Sequence, residues 1–409
     1  MRYLIALCVA VFASCASAQT ELIVRLQPNV DPVSLAVRYG VPLIDTTPKA
    51  PFALYGIPSN VDPDVLQSEF SSDGDVVWAE DNEDVGTADG QSAIKGSGIP
   101  AIGGRNALYA INKNLLKQID WNSSVANSKG RQVKIAILDT GLSRKQGYLW
   151  KKVDASVNYV ERGWIADDIP IGYDTRETGH GTMIAGLVDE ISPNTRLVIA
   201  RVADSGGVAT AWTLILGLAF AVDNGAEVAN ISLGSPHEIP ALEDVIDWCD
   251  SNNLLVVAGI GNLGSRNALF PARYETVACV AGLNADNTKA SFSNWDGRTT
   301  SSAPATGIVS QWWDGRMGIW AGTSFSSPMV AASVADGLRH TSGPVPPSAL
   351  RIAIKRSGRN IDGLNKAYQG QLGTLLDYQR LNVLVMIATN SGDALSPPAR
   401  NGWGLLTSR

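Results

Sequence analysis

From about residue 118 the chain alternates two kinds of segment. Continuous apolar runs, "QVKIAIL", "TRLVIARV", "AEVANISL", "LLVVAG" and "TVACVAG", are separated or followed by stretches with helical spacing, "GTMIAGLVDEI", "TAWTLILGLAFAVDN" and "ALEDVIDWCDSN". A strand that is apolar throughout must be covered on both faces, and helices between such strands make parallel crossovers the natural connection. The pattern predicts an α/β fold: a doubly wound, mostly parallel sheet between helical layers. Two further helices are expected, one from Ser324 to about Arg339 and one over 347–356. No internal repeat is visible. In such sheets, ligands and catalytic groups gather beyond the carboxyl ends of the strands.

What precedes this pattern is organised differently. "MRYLIALCVAVFASCASAQ" has an early cation, Arg2, an apolar run from Leu4 to Ala13, and Ala16-Ser17-Ala18 as an A-x-A pattern. It reads as a secretory signal peptide, residues 1–18; the apolar run is too short to span ~30 Å of bilayer. Residues 19–84 read as a small α+β domain, with strands in "ELIVRL", "APFALYGI" and "GDVVWAE". Its two helices, "DPVSLAVRYGV" and "DPDVLQSEF", each have Asp placed to cap and Pro just inside. Residues 85–115, rich in Gly, Ala and Ser, read as an exposed linker. The large domain is expected over 116–386, and a loosely ordered tail over 387–409. A signal, a small folded unit, a linker and a large domain make the layout of a secreted proenzyme.

Composition excludes several classes. With 45% hydrophobic and 18% charged residues the chain has an ordinary globular balance. A formal net charge of -6 and the lack of any Lys/Arg stripe give nucleic acid nothing to bind. No later stretch suits a membrane span. Cys8 and Cys15 fall in the signal; Cys249 and Cys279 read as buried thiols acting as small hydrophobes, with a disulfide between them left open.

Four strand-end segments carry chemistry. Asp139 follows "VKIAIL" directly, in "LDTG"; alone, it would be taken for a turn residue. His180 opens the helix "HGTMIAGLV" and, of the three histidines, is the one flanked by glycines, Gly179 and Gly181. His237 and His340 sit in turn-like settings and read as surface residues. Ser324, in "AGTSFSSPMVAA", stands at a helix start, with Pro328 expected in the first turn. Its plain reading is an N-cap; its functional reading is a nucleophile whose backbone N–H faces an oxyanion. Ser326 and Ser327 compete for that role but read as structural. Finally, "LLVVAGIGNLG", Leu254 to Gly264, matches G-x-G-x-x-G, the turn of a dinucleotide fold. That fold needs a helix next and an acid about 20 residues on. Here "SRNALFPARY" follows, broken by Pro271, and position 279 is Cys, so a nicotinamide enzyme is rejected.

Asp139, His180 and Ser324 are an orienting carboxylate, a general base and a nucleophile, in that order. At this point "ILDTG", "GHGTMIAG" and "GTSFSSPMVA" resemble the three signature segments of the subtilisin-like serine peptidases, and "AGIGN" resembles that family's oxyanion segment. The resemblance covers roughly residues 118–385. Residues 21–84 are similar to the family's inhibitory propeptide. The resemblance implies a triad of Asp139, His180 and Ser324, with Asn262 donating to the oxyanion. It implies substrate-holding strands around Gly206, Gly207 and Val208 and around Ser232, Leu233 and Gly234, and places Leu269 near the floor of the pocket. It further implies a secreted, monomeric endopeptidase, extracellular or periplasmic, acting on proteins or peptides and held inactive by its own propeptide. The other reading is an inactive binding module on the same fold, against which the intact quartet of residues argues.

The chain departs from the family's pattern in places. Met183 and Met329 stand where histidine is usual, and "DEISPNT" replaces the longer loop that carries a calcium site in many relatives. No cofactor is expected to be required, and weak surface calcium is left open. The pocket loop after Asn262 holds Arg266 but no acid before Tyr274, so preference for apolar, medium-sized side chains before the cut is expected over Lys or Arg.

Overall fold

The computed structural model describes residues 21–87, 96–99 and 104–390. The signal-peptide reading, and the tail reading beyond Asn390, fall outside the described residues. These residues form two compact units, 21–47 with 51–82 and 48–50 with 83–390.

The small unit contains β1 (Glu21–Leu26), α1 (Pro32–Tyr39), β2 (Leu43–Thr46), β3 (Phe52–Gly56), α2 (Pro63–Ser72) and β4 (Val76–Asp81). Both helices start as their sequences dictate. The Asp31 carboxylate accepts from the Val33 N–H at 3.1 Å and Asp62 from Asp64 N–H at 3.0 Å, with Pro32 and Pro63 in the first turns. The antiparallel sheet runs β2-β3-β1-β4. Its core joins Leu22, Val24, Leu35, Tyr55, Leu66 and Phe70. Strand β2 was not foreseen: its four residues are all half-buried and show no alternation.

In the large unit the stretch expected as an exposed linker, 85–115, carries structure. It holds β5 (Asp84–Thr87), β6 (Gly96–Ile99), α3 (Gly104–Ile111) and the start of α4 (Lys113–Gln118). Val85, Leu108 and Asn112 are buried. The strands are four residues each, too short for a period to register, and are fixed by backbone pairing with distant segments.

The main sheet is built from β7 (Lys134–Asp139), β8 (Val153–Asn158), β9 (Arg196–Arg201), β11 (Val228–Ile231), β13 (Leu255–Gly259), β14 (Val277–Leu283), β15 (Ser301–Pro304) and β18 (Thr374–Leu375). Its order is β18-β15-β14-β13-β11-β7-β9-β8, and every pair is parallel. The winding reverses at β7: β8 and β9 lie on one side, β11 and the later strands on the other. The crevice at such a reversal is where doubly wound folds place their sites.

The helices are α5 (Ser123–Ala126), α6 (Gly147–Trp150), α7 (His180–Ile191), α8 (Ala211–Asp223), α9 (Pro240–Ser251), α10 (Thr323–Leu338), α11 (Pro347–Ser357) and α12 (Tyr378–Asn390). Helices α7, α10 and α12 pack together, as do α8 and α9. All 16 residues of α10 are buried. A helix buried on every side belongs inside a core, where its polar side chains need partners, and α10 crosses β11, β13, β14 and β15. Its first turn is therefore held from every side. Two short strands, β10 (Val208–Thr210) and β12 (Leu233–Gly234), flank β5, and the hairpin β16 (Ile308–Gln311) with β17 (Met317–Trp320) is extended by β6.

Candidate active site

Asp139 is the last residue of β7 and His180 the first of α7. The two side chains are fully buried, and His180 Nδ1 lies 2.7 Å from Asp139 Oδ1. The flanking glycines have a steric reason. A Cβ on Gly181 would fall 2.4 Å from the Gly141 carbonyl oxygen, inside any allowed contact. Gly179 has φ +97°, and a Cβ there would meet Trp313 at 2.9 Å. Trp320 stands edge-on to the imidazole at 5.3 Å and Phe325 lies at 5.5 Å, so one side of the ring is shut off from water.

Ser324 is the second residue of α10 and is buried. The helix starts at Thr323, one residue before the expected start at Ser324. Pro328 is the sixth helical residue, not a first-turn one. Proline lacks the N–H that would bond the carbonyl four residues back, here that of Ser324. The Ser232 hydroxyl replaces it, donating to the Ser324 carbonyl at 2.9 Å, and Asn230 donates to Ser232 at 2.9 Å. The end of β11 is thereby tied to the turn that carries Ser324. Ser326 donates to the carbonyls of Ala303 and Pro304, and Ser327 lies 3.3 Å from Ser232 Oγ. Both hydroxyls are spent on structure.

The glycine loop after β13 meets the same helix end. The Asn262 Oδ1 accepts from the Thr323 N–H at 2.9 Å, which fixes the amide next to Ser324. Gly261 N–H donates to Thr323 Oγ1 at 3.2 Å. A Cβ on Gly259 would lie 3.0 Å from the Thr323 carbonyl. No helix follows the loop until α10.

The expected substrate strands are only partly strands. Val208 begins β10, but Gly206 and Gly207 form a turn before it, with Gly207 at φ +85° and its N–H donating to Asp204. Leu233 and Gly234 are β12; Ser232 stands just before. Between them runs β5, antiparallel to both, with Gly86 opposite Val208 and Gly234, and Thr87 opposite Leu233. Leu269 is wedged between two glycines: a Cβ on Gly234 would lie 3.0 Å from it and one on Gly261 2.7 Å. Leu263 is exposed.

Other residues fall as follows. His237 is exposed, but His340 is half-buried, its Nε2 3.2 Å from Ser128 Oγ, rather than at the surface. Cys249 and Cys279 are free, buried thiols whose pKa values burial raises. Asp168 escaped the sequence reading. It is buried, and burial pushes its pKa up to about 6 against the hydrogen bonds and the Arg201 charge that favour the carboxylate. It lies in "IADDIP", a loop with no period to mark it.

The sequence pattern of the subtilase family matches residues 130–370, more than half of the chain. This chain belongs to the subtilase family. The subtilase is 31% identical to subtilisin DY of Bacillus licheniformis over 220 residues, 51% of this chain and 77% of that protein. It is 31% identical over 255 residues to a thermophilic serine proteinase of Bacillus sp. (strain AK1), covering 61% of this chain and 60% of that one. Among solved structures, fervidolysin from Fervidobacterium pennivorans, a keratinolytic enzyme related to subtilisin, shares the fold at TM-score 0.72 and 15% identity, over 90% of this chain and 61% of that one. A cold-adapted subtilisin-like serine proteinase shares it at TM-score 0.55 and 24% identity, over 62% and 90%. The subtilase is thus a serine-type endopeptidase. Among the described residues no helix is long and apolar enough to cross a membrane.

Proposed function

We propose that this subtilase is a secreted zymogen that cuts protein or peptide bonds through Ser324, His180 and Asp139, with Asn262 and the Ser324 N–H holding the oxyanion. The observation that carries the reading is the convergence of four separate segments: His180 on Asp139 at 2.7 Å, Asn262 on the N–H next to Ser324 at 2.9 Å, and Phe325, the residue after Ser324, 5.5 Å from the imidazole. His180 takes the Ser324 proton as the hydroxyl attacks the carbonyl, and Asp139 keeps the imidazole in the tautomer that can accept it. With its oxygen bound to Thr323, the Asn262 amide turns its NH2 end to the oxyanion, as does the start of α10. A water then hydrolyses the acyl-enzyme.

Strand β5 supports the zymogen part of the reading. A peptide substrate is expected to add as a strand between β10 and β12, and that place is taken by the chain's own residues 84–87. Going toward its C-terminus, β5 passes from Gly234 to Leu233, the side of Ser232 and its bond to Ser324. On this reading the bond cut in processing lies on the C-terminal side of β5, and the inhibitory segment runs past residue 84 to include β5. Ser324→Ala should abolish peptidase activity, end labelling by a fluorophosphonate, and leave the chain uncut, as read by N-terminal sequencing. A mature-sized product from that variant would assign the cut to another enzyme.

A further inference from the structure

The helix that carries His180 begins without a cap of its own. Its N-cap position is Gly179, which has no side chain to offer, so the first N–H groups need acceptors from elsewhere. They find three. The Glu177 carbonyl accepts from the His180 N–H at 3.0 Å, and Thr140 Oγ1 accepts from the Gly181 N–H at 2.9 Å. The third is Asp168, eleven residues before Gly179. Its Oδ1 accepts from the Gly179 N–H at 2.9 Å, and its Oδ2 from the Thr182 N–H at 3.1 Å and from Thr182 Oγ1 at 2.7 Å. Thr182 Oγ1 in turn accepts from the Ser143 N–H at 2.9 Å, in the loop that follows Asp139. One buried carboxylate thus links the residue before His180 to the residue two after it, and through Thr182 to the Asp139 loop.

Resting on the reading of His180 as the general base, we propose that Asp168 is the positioning residue that fixes the imidazole against Asp139 and Ser324. The geometry gives the reason. The His180 ring hangs from the first turn of α7, and a turn of backbone free to fray would let the ring swing relative to Asp139. A carboxylate that receives three hydrogen bonds at a helix N-terminus is also stabilised by the helix dipole. A guanidinium backs it: Arg201 is buried at the end of β9, donates to the carbonyls of Thr140 and Asp167, and pairs with Glu161. The loop that brings Asp168 into place is therefore pinned, through Arg201 at the end of β9, to the turn that follows Asp139 at the end of β7. A misplacement of about 1 Å in a catalytic group costs about 10²-fold in rate.

The test uses the full-length chain carrying Asp168→Asn. Asparagine keeps one acceptor but points an NH2 at donors. Active sites are counted by fluorophosphonate labelling, then kcat and KM are measured per labelled site. The expected result is a kcat lower by about 10- to 100-fold with KM within about twofold, and a labelling rate lowered in parallel. Wild-type kcat per labelled site would overturn the proposal, even if fewer sites formed, because it would reduce Asp168 to a folding role. So would a loss confined to KM. Should Asp168→Asn fail to fold, Thr182→Val, which removes the hydroxyl between Asp168 and the Asp139 loop, carries the test with the same expected split; wild-type kcat there overturns it equally. Failure of the wild-type enzyme to label at Ser324 would instead strike the triad reading itself, so the two failures are told apart.

Discussion

Replacing Glu190 by Gln should stabilise this protein, and by more at alkaline than at acid pH. Glu190 is the penultimate residue of α7 and is buried. Its Oε2 accepts from Asn112 Nδ2 at 2.7 Å, while its Oε1 is buried with no hydrogen-bond partner among the described residues. Burial, foremost, and the neighbouring charge of Asp189 push its pKa from 4.5 up to about 8, against the Asn112 bond. A folded-state value above the unfolded one means that its contribution to stability is fully present below about pH 4.5. The contribution is then lost as pH rises through about 8. At 1.36 kcal/mol per pH unit, the rise from 4.5 to about 8 corresponds to about 5 kcal/mol as an upper limit. Glutamine keeps an acceptor for Asn112 and cannot ionise. For a domain of this size, with an unfolding entropy of about 2.1 cal/mol/K per residue, 5 kcal/mol is about 7 °C in Tm. The assay is calorimetric Tm against pH for the two chains, both carrying Ser324→Ala to prevent self-digestion. Their curves should separate between about pH 4.5 and 8 and run parallel above. A Tm difference constant over the whole range, or a glutamine form less stable at pH 9, would refute the reasoning.

Asn262→Ala should lower kcat by about 10²–10³ with little change in KM, a magnitude carried over from a subtilisin oxyanion-hole asparagine. Asn262→Asp, which keeps the acceptor for Thr323 but loses the NH2, should be no better; steady-state kinetics checks both. An excess of EDTA should leave activity and Tm unchanged, because the loop closing α7 is held by the Lys152 ammonium, which bridges the Asp189 carboxylate and the Pro193 carbonyl; a Tm loss of several degrees would reveal a needed cation. Leu269→Ala should raise cleavage after Phe or Tyr relative to cleavage after Leu by about 10-fold in a peptide-library profile, since Leu269 fills the space between Gly234 and Gly261.

The sheet was legible because its strands are apolar on both faces and lie between periodic helices. The candidate site was legible because Asp139 ends β7, His180 opens α7, Ser324 lies in the first turn of α10 and Asn262 follows β13 by three residues. What escaped the reading depends on contacts between distant segments. Strand β5 is four residues with no period, and only its pairing with β10 and β12 makes it a strand. Asp168 sits in an irregular loop, and its meaning lies in N–H groups eleven and fourteen residues away. Pro328 reads as a first-turn proline from the sequence but is the sixth residue of α10, because "GTS" carries no strong cap signal to fix the start. Gly322 caps the helix without any side-chain hydrogen bond, and Ser232 compensates for Pro328 from the junction between β11 and β12.

The glycine fingerprint of "AGIGNLG" shows why spacing alone did not decide its role. In a dinucleotide turn, glycines leave room for a phosphate and a helix start points at it. Here each glycine's room is already filled by protein. Gly259 faces the Thr323 backbone, Gly261, at φ +110°, faces Leu269 and Asn294, and Gly264, at φ +59°, faces the Ser291 carbonyl. The same demand, backbone passing within contact distance of something rigid at the mouth of a buried strand, selects the same residues. What differs is the rigid partner: a ligand's phosphate in one fold, the first turn of a buried helix in the other. The discriminating signal therefore lies downstream of the glycines. A helix there would present its dipole to an anion; on the proposed function, an asparagine bound to the N–H beside Ser324 would present its amide to an oxyanion that exists only while a peptide bond is being broken.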